Sequence, residues 1–140
     1  MCSQDHSQTL LDHSEYPRNT GELEGSIEPF SFIENRKCGD SLKCRLELVD
    51  GKVKAIQIDP QGCAVSKASA SIMSEAVKGL SLHQVAERLK QIEAVLSGSQ
   101  KEQILNGDLL AFASLKRFPM RHRCVTLSWD LVHSILEKLK

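Results

Sequence analysis

Leu42, Cys44, Leu46 and Leu48 alternate with Lys43, Arg45 and Glu47, the period of two that sends every second side chain to one face of a half-buried strand. That phase places Cys44 on the apolar face with the leucines. Asp50-Gly51 follows, a pair that tolerates the positive φ of a tight hairpin turn, and Val53 to Ile58 reads as the antiparallel partner. Upstream, Ile27 to Ile33 reads as a short strand whose Pro29 has no N–H to donate, which predicts an edge position. Near the start, Leu10 and Leu11 open a short helix that Pro17 and the turn Asn19-Thr20-Gly21 should stop.

After Pro60-Gln61-Gly62 the period changes. Val65, Ala68/Ser69, Ile72/Met73 and Ala76/Val77 recur at spacings of three and four, predicting a helix over about 64–78 that Gly79 ends. Ser81-Leu82-His83-Gln84 has the form of a capping box, and Leu82, Val85, Leu89, Ile92 and Leu96 make one apolar stripe up to Gly98. Ser99-Gln100-Lys101-Glu102 has the same form and predicts a further helix, interrupted at Asn106-Gly107 before Leu109 to Leu115. A last helix is expected from about Val125 to Leu139, with Val125, Trp129, Val132, Leu136 and Leu139 on one face. Strands come first and helices after, so the expected class is α+β: a small antiparallel sheet of about three strands with helices packed on one face.

Length and charge narrow the function. A chain of 140 residues is expected to form one domain, residues 1–140, opened by an acidic arm and short helix over residues 1–25. Eighteen Lys and Arg balance eighteen Asp and Glu. A formal charge of zero gives no general affinity for nucleic acid or anionic lipid, so neither is an expected partner. The balance is uneven along the chain: residues 1–35 carry a net charge of −6, and residues 36–140 one of +6. Part of the excess lies in Lys116-Arg117-Phe118-Pro119-Met120-Arg121-His122-Arg123, directly before Cys124. No apolar run reaches the roughly 18–20 residues of a membrane span, and the N-terminus lacks a basic and an apolar region. A soluble, unsecreted, cytoplasmic protein is the expectation.

In a reducing compartment widely spaced cysteines point to metal binding or thiol chemistry. Cys38 opens Cys38-Gly39-Asp40 ahead of the hairpin, Cys63 follows Gly62 ahead of a helix, and Cys124 is expected just ahead of the last helix. The partial positive charge of a helix N-terminus favours thiolate at Cys63 and Cys124. Cys63 lies 25 positions after Cys38 and 61 before Cys124, and no Cys-x-x-Cys occurs, so spacing alone leaves three separate structural cysteines equally open.

The wording of the motifs goes further. Cys38-Gly39-Asp40, then Gly62-Cys63-Ala64-Val65-Ser66-Lys67-Ala68-Ser69-Ala70-Ser71-Ile72-Met73, then Phe118-Pro119-Met120-Arg121-His122-Arg123-Cys124 resembles the IscU/NifU/SufU family of iron–sulfur cluster assembly proteins. Leu11-Asp12-His13 with Pro17-Arg18-Asn19-Thr20-Gly21 resembles the family's opening helix and turn. The chain is similar to the SufU branch. It has a long gap between the second and third cysteines, Arg123 rather than His before Cys124, and Phe118-Pro119-Met120-Arg121 where IscU-type scaffolds carry a chaperone-binding segment.

The resemblance implies an IscU/SufE-like fold and one Zn²⁺ held by Cys38, Asp40, Cys63 and Cys124. Three thiolates and a carboxylate around Zn²⁺ leave a net negative charge, which invites Arg121 or Arg123 as counter-ion; Arg121 matches a SufU arginine. A hard carboxylate among soft thiolates suggests a site whose ligands exchange. The implied function is a sulfur acceptor working with a PLP-dependent cysteine desulfurase and passing sulfur to downstream iron–sulfur scaffold proteins. Cys38 is then the acceptor thiol, and Arg121 supports it. The competing function is a scaffold on which a [2Fe–2S] cluster forms on the same ligands.

Other candidates take structural readings. Cys44 is expected in the core and Cys2 in the arm, His13 to orient structure, and His122 to sit exposed in a loop. The Ala/Ser run 68–71 should let its helix approach a neighbour closely. A Cys63, His83, Asp108 hydrolase can be assembled on paper, but nothing in the sequence brings the three together.

Overall fold

The computed structural model describes residues 6–20, 31–35 and 39–139. The elements run α1 (His6–Glu15), β1 (Ser31–Asn35), β2 (Asp40–Val49), β3 (Lys52–Gln61), α2 (Ala64–Ala76), α3 (Leu82–Ser97) and α4 (His122–Leu139). Three 3₁₀ segments, Glu102–Ile104, Gly107–Leu115 and Pro119–Arg121, connect α3 to α4.

The alternating pattern forms the sheet as expected. β1, β2 and β3 pair antiparallel in that order. Asp50 and Gly51 take φ of 54° and 76°, and Val49 faces Lys52 across this two-residue turn, the twist-matched geometry that a tight hairpin needs. Leu42, Cys44 and Leu46 are buried and oppose Pro60, Ile58 and Ile56. On the other face Arg45 donates to Gln57 Oε1 at 2.8 Å. A bulge between Glu47 and Leu48 shifts the register near the turn. β1 is an edge strand, but it begins at Ser31, and Ile27 to Phe30 lie outside the described residues, as does Cys2.

α2 packs on β3 and between α1 and α4, while α4 also covers β1, β2 and α3. One cluster of buried side chains joins the sheet, α2, α3, α4 and the segment Gly107–Leu115 around Trp129 and Phe112. The Ala/Ser run of α2 is buried over residues 68–71, which permits the close approach, and its hydroxyls do more than save space. Ser69 donates to the Val125 carbonyl at 2.6 Å, tying α2 to the first turn of α4. His13, 2% exposed, bridges Ser71 Oγ and Asp108 Oδ2 at 2.7 Å each and so pins α1 to the body.

Two expectations about helix ends fail for physical reasons. Ser81 and Gln84 form their reciprocal capping box, but Ser99 does not start a helix. Its N–H and hydroxyl both donate to Ala94 O, closing the C-terminus of α3 beyond the left-handed Gly98. The N–H is thereby taken and the hydroxyl is turned back towards α3, and residues 102–115 form 3₁₀ turns interrupted at Asn106 instead of an α-helix. α4 starts at His122, not near Val125, because Pro119 opens a 3₁₀ turn that runs directly into it. Cys124 consequently lies inside the first turn of α4.

Candidate metal centre

Asp40 begins β2 and shares the inward face with Leu42 and Cys44; it is 0% exposed. A buried carboxylate is costly unless its oxygens are engaged. Asp40 Oδ1 accepts the backbone N–H of Cys63 at 2.9 Å, and Oδ2 stands 3.8 Å from Cys63 Sγ. Cys63 is the N-cap of α2, its extended backbone letting Sγ accept the N–H of Ser66 at 3.4 Å. Cys124 Sγ, 1% exposed, lies 3.8 Å from Cys63 Sγ. One ligand atom from each of Asp40, Cys63 and Cys124 falls within 4.8 Å of the others.

The donor set suits a tetrahedral thiophilic cation. Two thiolates at about 2.3 Å from Zn²⁺ and at the tetrahedral angle stand about 3.8 Å apart, and the two sulfurs here are 3.8 Å apart. Burial pushes the Cys124 thiol well above the ordinary range, and the neighbouring Asp40 and Cys63 push it the same way. This reverses the expectation that the helix end favours its thiolate: with Cys124 inside the turn and buried, desolvation and negative neighbours outweigh the dipole. A divalent cation changes the sign of that balance, because it neutralises the charges whose crowding keeps the proton on.

Of the other predicted site residues, Cys38 lies outside the described residues. Gly39 beside it is exposed with φ of 71°, a left-handed turn position. Arg121 is exposed at the end of Pro119–Arg121. The Arg123 guanidinium pairs with Asp130 two turns further along α4. His122 is half-buried in the first turn of α4, its Nε2 3.1 Å from Leu115 O, so it is not an exposed loop residue. Cys44 is 0% exposed, with its thiol pushed up to about 12 by burial alone. The paper hydrolase falls apart, since His83 pairs with Glu87 on an exposed face and Asp108 with His13. The sequence reading missed Ser69 as a positioning group; a hydroxyl on the helix within the Ala/Ser run was the available signal.

The sequence matches the NifU-like N-terminal domain family over residues 5–125. The chain belongs to this family. It is similar to the zinc-dependent sulfurtransferase SufU of Bacillus subtilis (strain 168), with 32% identity over 95% of this chain and 90% of that protein. It is also similar to the iron–sulfur cluster assembly scaffold protein IscU of Thermotoga maritima, with 26% identity over 96% of this chain and 94% of that one. Among solved structures, an iron–sulfur cluster assembly scaffold protein for the SUF system from Fervidobacterium islandicum AW-1 superposes with a TM-score of 0.81 at 26% identity, covering 95% of this chain and 99% of that one. The NifU-like N-terminal protein of Brucella abortus has the same fold, with a TM-score of 0.81 at 20% identity over 94% of this chain and 92% of that one. The three-stranded antiparallel sheet with its helices is thus the architecture of this NifU-like family. Among the described residues no helix is long and apolar enough to cross a membrane.

Proposed function

We propose that this chain is a zinc-dependent sulfur acceptor that receives persulfide sulfur from a PLP-dependent cysteine desulfurase and passes it to iron–sulfur scaffold proteins downstream. The observation that carries this reading is the convergence of Asp40, Cys63 and Cys124 from the start of β2, the cap of α2 and the first turn of α4. Similarity to a zinc-dependent sulfurtransferase supports the choice of metal and of chemistry. Cys38, two residues before Asp40, completes the proposed ligand set.

When bound, the ion supplies the positive charge that keeps the sulfurs deprotonated at neutral pH. Cys63 and Cys124 are the anchors, each seated at a helix start. Cys38 is the carrier, adjoining the left-handed Gly39. Its thiolate attacks the outer sulfur of the desulfurase persulfide and the partner's S–S bond breaks. The partner cysteine leaves as thiolate, and Cys38 ends as the persulfide. The outer sulfur moves with its proton, so no oxidant or reductant is consumed. Arg121, exposed three residues before Cys124, supports the negative charge of the exchanging thiolates.

Metal content and visible absorption of protein purified without oxygen test the reading. One tightly held zinc, no colour, and a gain of one sulfur atom on the Cys38 peptide after incubation with a cysteine desulfurase and L-cysteine are expected. Persulfide found chiefly on Cys63 or Cys124, or undiminished in Cys38→Ala, overturns the assignment of carrier and anchors. Similarity to proteins named IscU scaffolds supports a second reading, a [2Fe–2S] scaffold on the same residues. Bound iron, acid-labile sulfide and a brown colour would select it.

A further inference from the structure

The β2–β3 ladder ends with Ser41 opposite Gln61, so the next position, Gly62, comes to stand against Asp40. Gly62 has φ of 128°. A Cβ built on it would lie 2.2 Å from Asp40 Oδ1, 2.8 Å from its Cα and 3.0 Å from its Cγ. Outside its own chain neighbours, its three nearest atoms all belong to that single residue. The space that glycine leaves is therefore occupied by the Asp40 carboxylate, and that occupancy puts Oδ1 in reach of the Cys63 N–H at 2.9 Å. With Oδ1 held by a backbone donor, Oδ2 is the oxygen turned to the sulfurs.

We propose that Gly62 is a positioning residue that sets the ligand composition of the site. By leaving no side chain opposite Asp40 it admits a carboxylate, presented through Oδ2, to what would otherwise be a centre of sulfur ligands alone. This rests on reading Asp40, Cys63 and Cys124 as metal ligands. A methyl group at position 62 collides with the Asp40 carboxylate and its Cα, and at φ of 128° it also strains the backbone leading into Cys63; Oδ1, the closest atom and the freest to move, is displaced first. The site then keeps a thiophilic metal and loses its oxygen ligand.

The test uses Co²⁺ as a coloured probe, added without oxygen to the full chain. Wild type should show thiolate-to-cobalt charge transfer together with the visible ligand-field bands of a mixed sulfur and oxygen set. Absence of charge transfer in wild type defeats the metal-site reading itself. Gly62→Ala should retain charge transfer, shift its ligand-field bands to those of Asp40→Ala, and bind about tenfold more weakly. Adding Gly62→Ala to Asp40→Ala should then change neither spectrum nor affinity, since the first acts through the second. A Gly62→Ala spectrum identical to wild type, or effects that add in the double variant, overturns the proposal while leaving the metal site intact. If Gly62→Ala does not fold, adding Asp40→Gly relieves the contacts with Oδ1 and Cγ while leaving the 2.8 Å approach to the Cα at position 40, so recovered folding assigns the collision to the carboxylate. A double variant that stays unfolded while Asp40→Gly alone folds shows that Gly62 serves the backbone only.

Discussion

Cys44 and Cys124 are equally hidden, at 0% and 1% exposure, and in both burial raises the thiol pKa. Around Cys44 desolvation is the entire cause; its neighbours on the inward face of the strand are Leu42 and Leu46, and the thiol behaves as a small hydrophobe. Around Cys124 a second sulfur and a carboxylate add to desolvation. Those added groups change the chemical meaning of burial. An isolated buried thiol holds its proton and packs, whereas a buried thiol among other donors holds its proton only until a cation takes that place. β2 illustrates this on one inward face: the inert Cys44 lies four positions after the buried, bonded Asp40.

The largest effect should come from deleting an anchor. Cys63→Ala and Cys124→Ala are each expected to weaken zinc binding by roughly a hundredfold or more, read by competition with a chelator, whereas Cys44→Ala should leave it unchanged. Loss of metal in Cys44→Ala would erase the distinction between the two thiols. Next comes Asp40→Ala, which should keep zinc on the sulfurs yet lower desulfurase stimulation about tenfold, because the charge and exchange of the site change. Unaltered stimulation would remove Asp40 from the mechanism.

Removing the metal with a strong chelator should lower the melting temperature by several degrees without unfolding the chain, since the core is independent of the site. Fluorescence of Trp129, the single tryptophan and fully buried, reports it. An unchanged melting temperature would show that the ligands are held together by packing alone. Cys44→Ala is expected to cost about 1 kcal/mol, the scale of a small core deletion, measured by urea unfolding of the metal-free protein.

The last effect is in pH, and it is confined to the alkaline range. The folded Cys44 thiol titrates near 12 against an ordinary 9.0, so the folded state holds the proton more firmly than the unfolded chain. Its stabilising share is present in full below pH 9 and is lost as pH rises towards 12. Cys44→Ala should therefore flatten the alkaline decline in stability of the metal-free protein. An unchanged slope would mean that the thiol is hydrated.

The hairpin was legible because its determinants are local: a period of two, and a turn pair that accepts positive φ. The capping box at Ser81 was legible for the same reason, and its failure at Ser99 shows the limit. The same kind of motif at the same spacing does nothing when the preceding helix has already engaged the serine's hydroxyl and N–H. The start of α4 was misjudged through the same kind of neighbour effect at Pro119.

From sequence alone came the order of strands and helices, the inward phase of Cys44, and the motif wording that nominated Asp40, Cys63 and Cys124 as partners. Only the tertiary structure decided that these three meet within 4.8 Å, that Arg123 turns to Asp130, and that Gly62 yields its space to a carboxylate. Periodicity and caps depend on residues a few positions apart, which the chain displays directly. Contacts across 23 and 61 positions depend on how the strand end and two helix starts pack, and no local pattern records that distance.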